Sequence, residues 1–196
     1  MNISKKDIPY FAKIVGVLLL ITMFVALLLS FVNMITKDVI AENDAKKTAE
    51  AIKQLFPDAA SPVTERLDVS LDDSSFEALY KVTDGDTEIG YYAEVYPKGF
   101  KGEIAMLVGI TTDGRVLGIR IVTHSETVGI GDRIENKAFL DTLTGLSGSV
   151  AYSKDKTDAD TKVDGISGAT YSSKAVIYGT NTALKAYEAY KGGAAQ

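Results

Sequence analysis

The stretch EIAMLVGITTDGRVLGIRIVT, from Glu103 to Thr123, decides the fold class. Two apolar runs, Glu103 to Thr112 and Arg115 to Thr123, flank Asp113-Gly114. An Asp-Gly pair between such runs is a strong hairpin signal, because its backbone adopts the twist that joins antiparallel strands. Upstream, Phe76, Ala78, Tyr80 and Val82 alternate with other residues, and Asp84-Gly85 marks a turn. Glu88 to Tyr96 reads as the returning strand, and a Gly-rich loop follows from Pro97 to Gly102. Three or four antiparallel strands are therefore expected in the middle of the chain. The segment from Ser61 to Ser75 reads as irregular.

Downstream, Arg133 to Leu143 reads as a short helix closed at Gly145. Val150 to Ser153 reads as a strand, and Ser153 to Lys162 as a charged loop. The last helix is expected over Ser172 to Tyr190. Val176, Ile177, Thr180, Leu184 and Tyr187 form its buried stripe, and Gly192-Gly193 lies beyond its end. The expected class is α+β: one N-terminal transmembrane helix, then a small domain with an antiparallel sheet and flanking helices.

The N-terminal segment is of another kind. Ile14 to Ile35 carries no charge and few polar residues. As a helix it spans roughly 33 Å at about 1.5 Å per residue, enough for a hydrocarbon core. A core helix would show a polar face, and this run shows none. A cleaved signal peptide is the rival, with Val39-Ile40-Ala41 as a weak cleavage site. Its apolar region is normally only about 7–15 residues, so a retained anchor is expected. Lys5, Lys6 and Lys13 precede the span, while Lys37, Lys46 and Lys47 after it are diluted by acidic residues. This slight bias points to a cytoplasmic N-terminus, and residues from about Thr36 onward would then lie outside. From Val39 to Phe56 an amphipathic helix joins anchor to domain and ends at Pro57-Asp58. The expected division is residues 1–36 as anchor, 37–75 as juxtamembrane helix and linker, and 76–196 as the functional domain.

Composition removes several chemistries. The 196 residues carry a net charge of −5 and no long basic run, which argues against a nucleic-acid partner. Without cysteine there is no disulfide, thiolate catalysis or iron–sulfur ligation in this chain. With His124 as the single histidine there is no multi-histidine metal site.

The chemistry concentrates in DGISGATYSS, Asp164 to Ser173. Glycines and small side chains leave its backbone open, and a helix begins right after it. A helix start offers unpaired amides and partial positive charge, both favourable to phosphate. Thr170 would hold its hydroxyl at that spot, ready for a hydrogen bond or an ester. The plainer reading makes Ser172 or Ser173 an N-cap in an ordinary Gly-rich turn. A Walker A loop is excluded by the spacing.

Asp164 to Thr170 resembles the covalent-flavin motif of the FMN-binding domain family. That family includes the G subunit of the Rnf electron-transport complex and the C subunit of the sodium-translocating NADH:quinone reductase. His124-Ser125-Glu126-Thr127-Val128-Gly129-Ile130-Gly131 resembles its His-x-Glu-Thr-Pro-Gly-Leu-Gly stretch, with Val128 in place of proline and Ile130 in place of leucine. The short length is closer to the Rnf protein. The resemblance implies covalent FMN, joined through its phosphate to Thr170. It implies a cofactor site that also draws on Ser167, Gly168, Ala169, Glu126, Thr127, His124 and Gly129. It further implies an electron-transfer component of a redox-driven ion translocase, a ferredoxin:NAD oxidoreductase complex, rather than a complete enzyme. Partners would be the other subunits of that membrane complex and, during maturation, a flavin transferase using FAD and Mg²⁺.

Several residues carry two readings. His124 is a structural hydrogen-bonder or a flavin contact. Glu126 bonds the flavin or is a solvated loop carboxylate. As a flavin contact it would tune the potential rather than hold the cofactor. Tyr91, Tyr92 and Tyr96 form a stacking platform or are ordinary sheet residues. Lys174 pairs with the phosphate or is solvated. For the whole chain, the rival is a membrane-anchored, non-redox extracytoplasmic domain that binds a partner or an anionic ligand. A third reading is a free-standing FMN-binding reductase.

Overall fold

The structure, a computed structural model, describes residues 8–193. Lys5 and Lys6, which enter the orientation argument, lie outside them. The chain divides into two compact units, residues 1–45 and 46–196.

Helix α1 runs over Ile8–Leu55. Its large apolar side chains from Ile14 to Ile40 are all exposed. The helix is long and apolar enough to cross a membrane. Its C-terminal end belongs to the second unit, where Ala51 and Leu55 are buried with Phe56. Ala41, Ala45 and Ala49 of the expected stripe are exposed, so only the last turns are amphipathic in effect.

The second unit is built on a five-stranded antiparallel meander, with strand order equal to chain order. Its strands are β1 (Pro62–Leu67), β2 (Phe76–Asp84), β3 (Thr87–Val95), β4 (Ala105–Ile110) and β5 (Val116–Thr123). The β4–β5 connection is the Asp113-Gly114 turn, with Gly114 at φ +83° and Thr111 N donating to Arg115 O at 2.8 Å. Side chains alternate between two cores. Tyr91, Ala93, Met106 and Val108 join the larger core with helix α3 (Thr170–Gly193). Tyr92 and Leu107 face the other way, against Ala51, Leu55 and Phe56 of the α1 end.

Four expectations are corrected. Ser61 to Ser75 is not wholly irregular, because β1 pairs with β2 from Pro62–Asp84 to Leu67–Leu79. As an exposed edge strand it lacks apolar alternation, so it leaves no period-2 signal. Arg133 to Leu143 is not one helix. It is a 3₁₀ turn (Gly131–Glu135), α2 (Lys137–Leu140) and a second 3₁₀ turn (Asp141–Leu143), broken where Asn136 is extended. The charged loop after β6 (Val150–Tyr152) ends in a short strand, β7 (Thr161–Val163), parallel to it. Helix α3 includes Gly192 and Gly193. In an exposed last turn, glycine weakens a helix without stopping it. The expected stripe of α3 is buried throughout.

Candidate functional site

Three segments converge at the N-terminal end of α3: the 97–102 loop, the 124–132 loop and the Asp164–Ala169 turn. Ala169 N donates to Ile166 O at 3.0 Å, closing a turn in which Gly168 takes φ +84°. Ser173 N then donates to Ala169 O at 2.9 Å, which starts the helix. The residue before the helix is thus alanine, which has no side-chain oxygen to cap the first-turn amides. Ser172 and Ser173 are not caps. They lie inside the first turn, and their hydroxyls serve other partners. Ser173 Oγ accepts from Ile166 N at 2.9 Å, and Ser172 Oγ donates to Glu126 Oε2.

Glu126 is the junction. It is only 5% exposed, so the solvated-loop reading is set aside. Its Oε1 accepts from Phe100 N at 2.9 Å and Lys101 N at 3.0 Å. Glycines on both sides make this possible. A Cβ on Gly99 would lie 2.5 Å from Glu126 Oε1, and one on Gly131 would lie 2.9 Å from Glu126 Oε2. A buried carboxylate with three internal donors is well satisfied. It fastens two loops to the helix start.

A cleft of about 340 Å³ opens at this junction. That is within the range of small-molecule sites. Glu126, Thr127, Gly168, Ala169 and Thr170 line it, together with Phe100, Ile130, Gly131, Tyr171 and Ser172. Thr170 is exposed and is the first residue of α3. The rim is aromatic. Phe100 and Tyr171 are 65% and 71% exposed, with ring centroids 6.0 Å apart and planes tilted by 42°. Neither stood out in the sequence. The available signal was an aromatic in a Gly-rich loop and another beside Thr170, off the buried stripe of α3.

The other expected site residues lie around the cleft without lining it, Thr127 excepted. His124 is a tie. Its Nδ1 accepts from Glu126 N at 3.1 Å, and its Nε2 lies 3.1 Å from Glu135 Oε1. Gly129, at φ +80°, donates its amide to Asp132 Oδ2 at 2.9 Å, which shapes the loop. Ser167 is exposed on the 166–169 turn. Thr127 contributes its carbonyl, which accepts from Gly131 N at 2.8 Å. Tyr91 and Tyr92 are no platform, because they are buried on opposite faces of the sheet. Tyr92 instead stacks on Tyr80 at 4.7 Å. Lys174 is exposed but not free. It pairs with Asp155 at 2.6 Å and lies over the Tyr152 ring. No cluster of metal-ligating side chains occurs among the described residues.

A family model described as an FMN-binding domain matches residues 99–185, which contain every residue lining the cleft. The G subunit of the ion-translocating oxidoreductase complex of Methanosarcina acetivorans is 30% identical over 190 residues, covering 95% of this chain and 99% of that one. Its counterpart in Cronobacter sakazakii is 32% identical over 167 residues, covering 76% and 77%. This chain belongs to the family of G subunits of ion-translocating oxidoreductase complexes. For its fold, a crystal structure of the C subunit of the Na⁺-translocating NADH-quinone reductase from Parabacteroides distasonis superimposes with a TM-score of 0.53. The identity is 16%, over 76% of this chain and 92% of that one. Within the G-subunit family the chain thus retains the α+β architecture of an FMN-binding domain, with the cleft inside the matched region.

Proposed function

We propose that this chain is a membrane-anchored electron carrier of an ion-translocating ferredoxin:NAD oxidoreductase complex, with FMN esterified through its phosphate to Thr170. The observation that supports it best is the position of Thr170. Its hydroxyl sits at an uncapped helix start on the edge of a small cleft inside the FMN-binding match. The residues present fit the cofactor. The amides of Thr170, Tyr171 and Ser172 belong to a first turn and favour a phosphate. Phe100 and Tyr171 offer aromatic faces to a flavin ring.

FMN, when bound, supplies the redox chemistry, while the chain fixes its place and surroundings. Attachment falls to a separate flavin transferase with FAD and Mg²⁺. The Thr170 oxygen bonds to the flavin-side phosphorus, the pyrophosphate bond breaks, AMP leaves, and the hydroxyl proton is released. The ester leaves the ring chemically free and keeps the cofactor with the protein.

Residues 1–36 anchor the chain, 37–75 connect, and 76–196 carry the flavin, with β1 of the connecting segment completing the sheet. The domain faces away from the cytoplasm. A reporter fused after Gln196 should then be active only outside, and cytoplasmic activity would reverse the topology. A denaturing gel under ultraviolet light tests the attachment. With the transferase present a fluorescent band is expected for the wild type. Its absence would favour a non-redox binding domain. Tryptophan is absent from the sequence, so no indole from this chain quenches the signal.

A further inference from the structure

The cleft has an unusual charge balance for a site that takes a phosphate. Among the described residues, no lysine or arginine side chain lines it. Lys174, the nearest cation in sequence to Thr170 on the helix, is held by Asp155 at 2.6 Å and faces a different groove. The one acidic side chain in the lining is Glu126, and it is buried. It reaches the first turn of α3, where Thr170 also lies, through the Ser172 hydroxyl. The first turn that favours an anion therefore already has one bonded to a side chain of its own. Two anions at one helix end repel, and burial weakens the screening between them. The rest of the lining adds only the hydroxyls of Thr127, Thr170, Tyr171 and Ser172 to small, apolar and aromatic surface, which suits a ring.

Building on the reading of Thr170 as the flavin acceptor, we propose that Glu126 sets the site against reversible FMN binding. The cleft recognises the uncharged ring, the carboxylate opposes a free phosphate dianion, and the ester to Thr170 supplies retention. Esterification also lowers the opposing charge, because a phosphodiester carries one negative charge where free FMN carries nearly two. The arrangement lets the cleft discriminate against loosely bound FMN that lacks the covalent link. Glu126 acts here by its charge, beyond its role in tying the loops together.

The test compares riboflavin, which has the ring and no phosphate, with FMN. Binding is read by fluorescence titration on full-length Thr170→Val, where no ester can form. FMN is expected to bind no tighter than riboflavin. In Thr170→Val with Glu126→Gln, FMN should bind measurably, and its affinity relative to riboflavin should rise by at least about tenfold. The ratio is taken within one variant, so a general loosening of the cleft cancels. Glutamine keeps an oxygen for the Phe100 and Lys101 amides. Tighter binding of FMN than riboflavin to Thr170→Val overturns the proposal. So does a ratio that Glu126→Gln leaves unchanged, or a double variant that takes no FMN. If the double variant does not fold, the ratio in Thr170→Val alone decides. Failure of the underlying reading would show separately, as a wild-type chain that takes no flavin from transferase, FAD and Mg²⁺.

Discussion

The Ser172 hydroxyl donates to the buried carboxylate of Glu126, 46 residues away in sequence. With the Phe100 and Lys101 amides on its other oxygen, that carboxylate joins three segments which chain order keeps apart. That one group ties together segments that line the cleft beside Thr170.

Truncating it should be costly. Glu126→Ala leaves two amides and a hydroxyl without their acceptor, each worth about 1–3 kcal/mol when buried and unpaired. A loss of about 3 kcal/mol in urea unfolding is expected, against about 1 kcal/mol for Glu126→Gln. In flavin-loaded protein, Glu126→Gln should raise the reduction potential by removing a buried negative charge, while covalent flavin content stays near normal. Equal stability of the alanine and glutamine variants would remove the carboxylate from its structural role.

Much of the fold is legible in the sequence because much of it is periodic or punctuated. Asp113-Gly114 marks its hairpin, and Val176, Ile177, Thr180, Leu184 and Tyr187 mark the buried stripe of α3. β1 is not legible, since an edge strand with Glu65 and Arg66 exposed has no apolar alternation. At the site, the motif points to Thr170 through its glycines and the helix that follows. The Glu126 junction is invisible, because a buried carboxylate and a solvated one share the same letter. Only the folded chain brings Gly99 and Gly131 against it. The tyrosines of β3 mislead for the related reason that alternation sends Tyr91 and Tyr92 into two cores.

Helix α3 approaches the sheet closely at Gly179. A Cβ there would lie 2.9 Å from Pro97 Cγ, 3.1 Å from Met106 Sδ and 3.2 Å from Val95 Cγ2. Alanine improves helix propensity by about 1 kcal/mol. Overpacking against a proline ring and a strand typically costs about 1–3 kcal/mol and should win. Gly179→Ala is therefore expected to lower the urea midpoint. A raised midpoint would show that the helix and sheet separate freely.

Asp73 fastens the loop before β2 onto α3. Its Oδ2 accepts from Thr182 Oγ1 at 2.8 Å and Tyr178 OH at 3.0 Å, and its Oδ1 from Ser75 N and Oγ. Burial pushes this carboxyl up, but the donors from Ser75, Thr182 and Tyr178 outweigh it and hold it below the usual value of 3.8. The folded-state value is depressed, so its stabilisation is complete above about pH 4 and is lost as pH falls through the folded value. Asp73→Asn should flatten the acid limb of a stability-versus-pH curve below about pH 4. An identical limb in the variant would place the acid sensitivity elsewhere.

The central claim concerns the Thr170 hydroxyl. An ester needs an alcohol, and Thr170→Val removes it with little change in volume. Thr170 is exposed, so this change should leave stability within about 0.5 kcal/mol. Thr170→Ser keeps the alcohol and should be labelled in part. Ser167, Ser172 and Ser173 stand close by as internal controls. The decisive measurement is the intact mass of full-length protein produced with a flavin transferase. Wild-type protein should carry an added mass equal to FMN less one water, and Thr170→Val should carry none. An unmodified wild type, or the same added mass on Thr170→Val, would contradict the assignment.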